Sequence, residues 1–177
     1  MSEQPSDPVA PDTKDWTWVL ERPCQECGFD ARAVRPTEVK NRVYANSRAW
    51  GRFLELPTAA TRPAPGVWSA LEYAAHVRDV HLVFGERVAL MLAQDDPTFE
   101  DWDQDAAAAR GAYGAQDPSA VEAGLVAAAD AVSATYAGVE GEQWERRGRR
   151  SNGSVFTVDT LARYHLHDVE HHLHDVS

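Results

Sequence analysis

The sequence predicts an all-α protein: a four-helix bundle with a short irregular N-terminal extension. Three observations predict it. Apolar residues recur at three- and four-residue steps over four long stretches. Capping residues stand at the starts of those stretches. Alternating strand patterns are nearly absent. The chain has 177 residues, 44% of them hydrophobic, which fits one domain with a sizeable core.

Pro5, Pro8 and Pro11 lie among polar residues, so 1–15 reads as a disordered tail and 16–177 as the single domain. Trp16-Thr17-Trp18-Val19-Leu20 is a short apolar segment expected to dock on the core. Cys24-Gln25-Glu26-Cys27-Gly28 reads as a tight turn. The first helix is expected to start near Thr37, a suitable N-cap, and to end before Pro57. Pro63, Pro65 and Gly66 mark a loop. Ser69-Ala70-Leu71-Glu72 is a capping-box pattern that opens the second helix, running to about Gln94. Tyr73, Val77, Val80, Phe84, Val88 and Met91 form its apolar stripe. An acidic, aromatic segment, 99–105, follows. Asp117-Pro118 starts an Ala-rich third helix that ends near Gly138. The fourth starts near Thr157 or Asp159 and runs to the C-terminus.

The formal net charge of −11 disfavours nucleic acid and anionic membranes as partners, since both need a basic surface. No apolar run is long enough to span a bilayer, and the N-terminus lacks a signal-peptide core, so a cytoplasmic protein is expected. Arg146, Arg147, Arg149 and Arg150 cluster near Gly148, Asn152 and Gly153 and read as an exposed loop. That loop is either a solvated connection or a binding site for an anionic substrate or thiol cofactor.

The strongest chemical signal is at the C-terminus, where His165, His167, His171, His172 and His174 are mixed with Asp168, Glu170 and Asp175. Imidazole and carboxylate one helical turn apart can grip one divalent ion. Ala162, Leu166, Val169, Leu173 and Val176 form the buried stripe of this helix. At about 100° per residue, His172 lies about 80° from the stripe centre and Asp168 about 120°. His167 and His171 lie about 140° and 180° away. Asp168 with His172 is therefore the favoured pair, and His167 with His171 competes. His76, beside the core stripe of the second helix, supplies a third ligand, leaving a fourth position for water. Glu72 and Asp79, each about a turn from His76, are candidates to orient its far nitrogen or to act as a catalytic base. His81 reads as a hydrogen-bonded boundary residue, and the whole histidine run has an alternative reading as a solvated acidic face.

Cys24 and Cys27 are the only cysteines. Their spacing is half a zinc knuckle, but no second Cys pair completes it. The readings are two reduced thiols in a turn, a redox pair, or a half-site paired with a ligand from a second subunit.

Trp68-Ser69-Ala70-Leu71-Glu72-Tyr73-Ala74-Ala75-His76 resembles the W-S-x-x-E-x-x-x-H opening of the second helix in the DinB-like superfamily. That superfamily includes mycothiol-dependent maleylpyruvate isomerases and bacillithiol S-transferases. Asp168-Val169-Glu170-His171-His172-Leu173-His174-Asp175-Val176 is similar to the mycothiol-branch pattern E-x3-H-x2-D-L, with Asp in place of its Glu. The general H-x3-H pattern of other branches fits His167 and His171 instead. The resemblance covers roughly 37–177 and looks actinobacterial in composition. It implies a divalent metal, usually zinc or nickel, held by one His of the second helix and two late ligands. It further implies a metal-activated thiolate, S-transferase or isomerase chemistry on a small electrophile, mycothiol as the thiol, and a homodimer. Arg147, Arg149 and Arg150 would then bind carboxylates of the thiol or substrate. The alternative is a non-catalytic metal-binding stress-response or redox-sensing protein.

Overall fold

A computed structural model describes residues 9–177. Of the expected tail, 1–8 lies outside the described residues, and 9–15 borders the cleft discussed below. Two short 3-10 turns, Trp16–Leu20 and Ala31–Ala33, make up the extension. Six helices follow: α1 Pro36–Arg48, α2 Gly51–Leu54, α3 Ala70–Ala93, α4 Gln104–Gly111, α5 Pro118–Ala137 and α6 Val158–Asp175. The four long ones build the bundle. Both α1 and α3 pack on α5 and on α6, so the last helix lies between the first two long ones.

The second and third helices form where the sequence places them. Ser69 and Glu72 make the reciprocal cap of α3. Asp117 caps α5 with Pro118 at its first position. The apolar stripe of α3 is buried as expected: Val77, Val80, Phe84, Val88 and Met91 are all in the core.

The first helix differs from expectation. It starts one residue before Thr37, at Pro36, with the Arg35 N–H donating to Glu38 Oε2 at 2.9 Å. It stops at Arg48 rather than continuing to Pro57. Trp50 turns fully into the core, its Nε1 donating to Asn46 Oδ1 at 3.3 Å. The Ala49 N–H takes a tighter bond to the Asn46 carbonyl at 3.0 Å, and a separate turn, α2, follows. The acidic segment also contains a helix, α4, which Asp103 caps through the Ala106 N–H at 2.8 Å.

The arginine segment is not a loop. It forms strand β2, Arg147–Arg150, between β1, Thr98–Phe99, and β3, Val155–Thr157. β1 runs parallel to β2, with Phe99 opposite Arg150, and β3 runs antiparallel, with Gly148 opposite Phe156. A side chain at Gly148 would meet Met91 Cγ at 2.7 Å and Phe99 at 2.9 Å, so only glycine lets the sheet lie this close to α3. β3 leads straight into α6, whose N-cap is Thr157. The sheet thereby fixes where the histidine-bearing helix begins.

Three ion pairs and one amide then set the position of α6 and its neighbours. Arg42 of α1 grips Glu170 with two bonds, at 2.9 and 2.6 Å. Arg48 grips Asp130 of α5, and Arg163 bonds both Asp159 and the Ala31 carbonyl. The buried Asn46 amide donates to the Val169 carbonyl at 2.9 Å. No described helix is long and apolar enough to cross a membrane.

Candidate metal centre

α6 buries two faces. Ala162, Leu166 and Val169 face the bundle core as the stripe predicts. The face expected to point outward, with His167 and His171, is also buried, at 3% and 7% exposure. The N-terminal extension causes this. Trp16 packs on the rings of His167 and His171 at 5.6 and 5.2 Å, and Phe29 packs on His167 at 5.5 Å. The two candidate pairs therefore face different surroundings. They point one helical step apart, into two different groups of side chains.

His76, Asp168 and His172 form the first group, each offering a ligand atom, with all of these within 4.8 Å of one another. His76 Nε2 lies 3.7 Å from Asp168 Oδ1, and His172 Nε2 lies 3.5 Å from the same oxygen. These separations are too long for hydrogen bonds. They are close to the edge of about 3.4 Å that a tetrahedral ion with 2.0–2.2 Å bonds requires. His76 is fully buried, yet among the described residues neither of its nitrogens has a hydrogen-bond partner, and Asp168 Oδ1 has none either. Buried polar atoms left unpaired cost about 1–3 kcal/mol each, so convergent orphans need a binding partner. Two imidazoles and one carboxylate around that gap fit a divalent ion.

The surroundings hold His76 and Asp168 in the protonation states that a metal ligand needs, while the ion itself must displace the proton that His172 favours. Burial lowers the His76 pKa, against the pull of Asp168, and keeps the ring neutral. Burial pushes Asp168 up, but contact with His76 and the charge of His172 outweigh it and hold the carboxyl well below the usual range. His172 Nδ1 donates to Asp175 Oδ2 at 3.0 Å, which turns Nε2 toward the ligand gap. That contact, with Asp168, outweighs burial and raises the His172 pKa.

The expected bases are committed elsewhere. Glu72 accepts from the Ser69 N–H at 2.8 Å, from the Ser69 hydroxyl at 3.0 Å and from Arg62 Nε at 3.0 Å. Burial alone would raise its pKa, but Arg62 and Ser69 together lower it. Asp79 binds Arg78 and accepts from the Tyr113 hydroxyl. Neither carboxylate bonds His76. We therefore expect Glu72→Ala to act on stability, costing about 1–2 kcal/mol through the lost cap and ion pair. Urea unfolding checks this. A catalytic base would instead lower turnover by about 10²–10⁴-fold at unchanged stability.

A cleft of about 770 Å³ opens beside the centre. Asp168 and His172 line it, while His76 is sealed beneath, between Trp68 at 5.3 Å and Trp102 at 5.5 Å. Of the expected anion-binding arginines, only Arg150 reaches this cleft. The strand is the reason: its residues alternate outward and inward, leaving Arg147 and Arg149 exposed and Gly148 and Arg150 buried. Arg149 pairs with Asp96 at 2.8 Å on the outside. Arg150 is held by Asn152 and Ser154 and stacks over Phe156. Asp12, Asp15, Asp101, Asp103 and Asp105 also line the cleft, so its walls are acidic.

The second group was not foreseen as a unit. Cys24, Cys27, His167 and His171 bring their ligand atoms within 4.8 Å of one another. Both thiols are free, and burial with the nearby Cys24 raises the Cys27 pKa to about 11. His81, expected at a boundary, lies in the core at 1% exposure, hydrogen-bonded to His165 at 2.9 Å.

The family model of the DinB superfamily matches residues 42–176. No curated protein matches the chain. Among solved structures, YfiT from Bacillus subtilis has the same fold, with a TM-score of 0.71 at 18% identity. The match covers 96% of this chain and 92% of YfiT, which is described as a probable metal-dependent hydrolase with an unusual four-helix bundle topology.

Proposed function

Because the chain belongs to the DinB superfamily, we propose that it is a metal-dependent enzyme, with His76, Asp168 and His172 holding a divalent ion, that uses a small thiol as its nucleophile. The observation that carries this reading is a set of three convergent protein ligands beside an open cleft. Three ligands leave a coordination position, as catalytic centres need, whereas a purely structural or sensing site is closed by four. A divalent ion there lowers the pKa of a thiol or water placed against it.

The character of the cleft supports the thiol. Glu72 and Asp79, the bases expected for a hydrolytic water, are both committed to other partners, which leaves that role to the aspartates of the cleft wall. The acidic cleft disfavours a thiol rich in carboxylates. It suits an uncharged sugar thiol such as mycothiol, whose hydroxyls can donate to Asp101 and Asp103 and whose rings can stack on Trp68 or Trp102. Lys14 and Arg150 are the lining cations that could meet an anionic electrophile, although Arg150 also lies 3.4 Å from Asp101. Asp175 holds the His172 ring in place while these bind.

Hydrolysis, the activity ascribed to YfiT, is the second reading, favoured by the shared fold. One experiment separates them. Zinc- or nickel-loaded protein is incubated with an electrophile, such as a haloalkane or maleylpyruvate, and with mycothiol, glutathione or no thiol. The expected result is metal-dependent thioether formation or isomerisation, faster with mycothiol than with glutathione. Ester or amide cleavage without any thiol would move the assignment to hydrolase. Inactivity of fully loaded protein in both assays would reject the enzyme.

A further inference from the structure

We propose that Cys24, Cys27, His167 and His171 form a second, closed metal centre, for Zn²⁺ or a similar thiophilic divalent ion, that ties the N-terminal extension to α6. The four ligand atoms all lie within 4.8 Å of one another. Cys24 Sγ is 3.7 Å from His171 Nδ1. A tetrahedral zinc with Zn–S of about 2.3 Å and Zn–N of about 2.0–2.1 Å sets that edge at about 3.6 Å. His167 is 3% exposed, and its Nε2 has no hydrogen-bond partner among the described residues.

The local backbone presents both sulfurs on one side. The Cys24 N–H donates to the Phe29 carbonyl at 2.8 Å, and the Gly28 N–H donates to the Cys24 carbonyl at 2.9 Å. Gly28 has φ +76°, a conformation that favours glycine, so the turn is fixed by sequence. The far nitrogen of His171 faces carboxylates without bonding them: its Nε2 lies 3.4 Å from Glu26 Oε2 and 3.7 Å from Asp175 Oδ1. Metal-bound imidazoles characteristically turn their other nitrogen to a carboxylate. Trp16 and Phe29 cover ring faces of His167 and His171, both of which also border the cleft.

The donor set identifies the ion and the role. Two sulfurs and two imidazoles select zinc over magnesium or calcium, which prefer oxygen. Four protein ligands leave no position for substrate, so this centre is structural. Two thiolates also neutralise a divalent ion, which lowers the cost of placing it in a buried site. The spacing is C-x2-C followed by H-x3-H, with the two halves at opposite ends of the chain. The centre therefore closes a very long loop, and it clamps the helix that also carries Asp168 and His172. Asp175 stands between the two centres, one oxygen toward His171 and the other bonded to His172.

Elemental mass spectrometry of the full, untagged chain tests this, after reconstitution with zinc under reducing conditions. The expected content is two ions per chain. The pair Cys24→Ser with Cys27→Ser should lower it to one, and His76→Ala should independently remove the other. Reconstitution with cobalt should give a thiolate-to-cobalt charge-transfer band that His76→Ala keeps and the Cys pair loses. A wild-type chain whose metal content is unchanged by the Cys substitutions overturns the proposal without touching the first centre. If the Cys variant does not fold, wild-type thiol reactivity decides. Both thiols should resist an aromatic disulfide reagent until a strong chelator removes the metal. Immediate reactivity, or a Cys24–Cys27 disulfide in metal-loaded protein, overturns it.

Discussion

His76→Ala protein should keep its helical signature and lose both the ion of the His76–Asp168–His172 centre and all metal-dependent turnover. His76 supplies the ligand of that centre that comes from outside α6. Without it, Asp168 and His172 are two ligands on one helical turn, and nothing anchors the ion toward α3. Even outer-shell partners typically change metal affinity by about 10–100-fold, so loss of a direct ligand should exceed that. Asp175→Asn provides the graded comparison: it leaves all three ligands in place but weakens the hold on the His172 ring. It should weaken binding within that 10–100-fold range. Competition against a calibrated chelator measures both, and turnover should track occupancy. Unchanged metal content in His76→Ala, with other ligands intact, would show that the ion sits elsewhere. Active His76→Ala protein with an empty centre would remove the metal from the chemistry.

Much of this centre was legible in the sequence because it depends on helical geometry. The capping box at Ser69 starts α3 in register, which fixes the direction of His76. The apolar stripe of α6 sets the direction of Asp168 and His172, one turn apart. What the helical wheel missed was a second cover. It treats one face as buried, but the extension around Trp16 and Phe29 buries the opposite face as well. Two H-x3-H-like pairs then become two sites. The Cys–His group joins positions about 140 residues apart, and no local pattern encodes that contact. The strand at Arg147–Arg150 was hidden for another reason. Its inward positions are Gly148 and Arg150, so the usual alternation of apolar and polar residues is missing. Glu72 answers two local demands, the cap and Arg62, that a search for catalytic carboxylates does not weigh.

The metal-free protein should lose stability steeply as pH falls from about 6.5 to 4, and His81 should account for a full proton of that slope. His81, His165 and Tyr136 form a buried run: His81 Nδ1 meets His165 Nε2 at 2.9 Å, and His165 Nδ1 meets the Tyr136 hydroxyl at 2.9 Å. Among the described residues no carboxylate bonds either ring. Burial pushes the His81 pKa down to about 4 from 6.5, and it pushes His165 well below its ordinary value, with the neighbouring His81 adding to the effect. The sign follows from which state holds more protons. Above 6.5 both states carry neutral His81, and pH has no leverage through it. Between 6.5 and 4 the unfolded chain takes up a proton that the folded one refuses, so folding weakens as pH falls. Across that window the loss from His81 is about 3 kcal/mol, a large part of the 5–15 kcal/mol typical of a domain. Urea unfolding in the presence of a chelator, at several pH values, measures the slope. His81→Gln cannot titrate, so its slope should be shallower by about 1.4 kcal/mol per pH unit within the window. An identical slope in the two proteins would mean that His81 is already protonated when folded. Its contact with His165 would then be that of an imidazolium donating to a neutral ring.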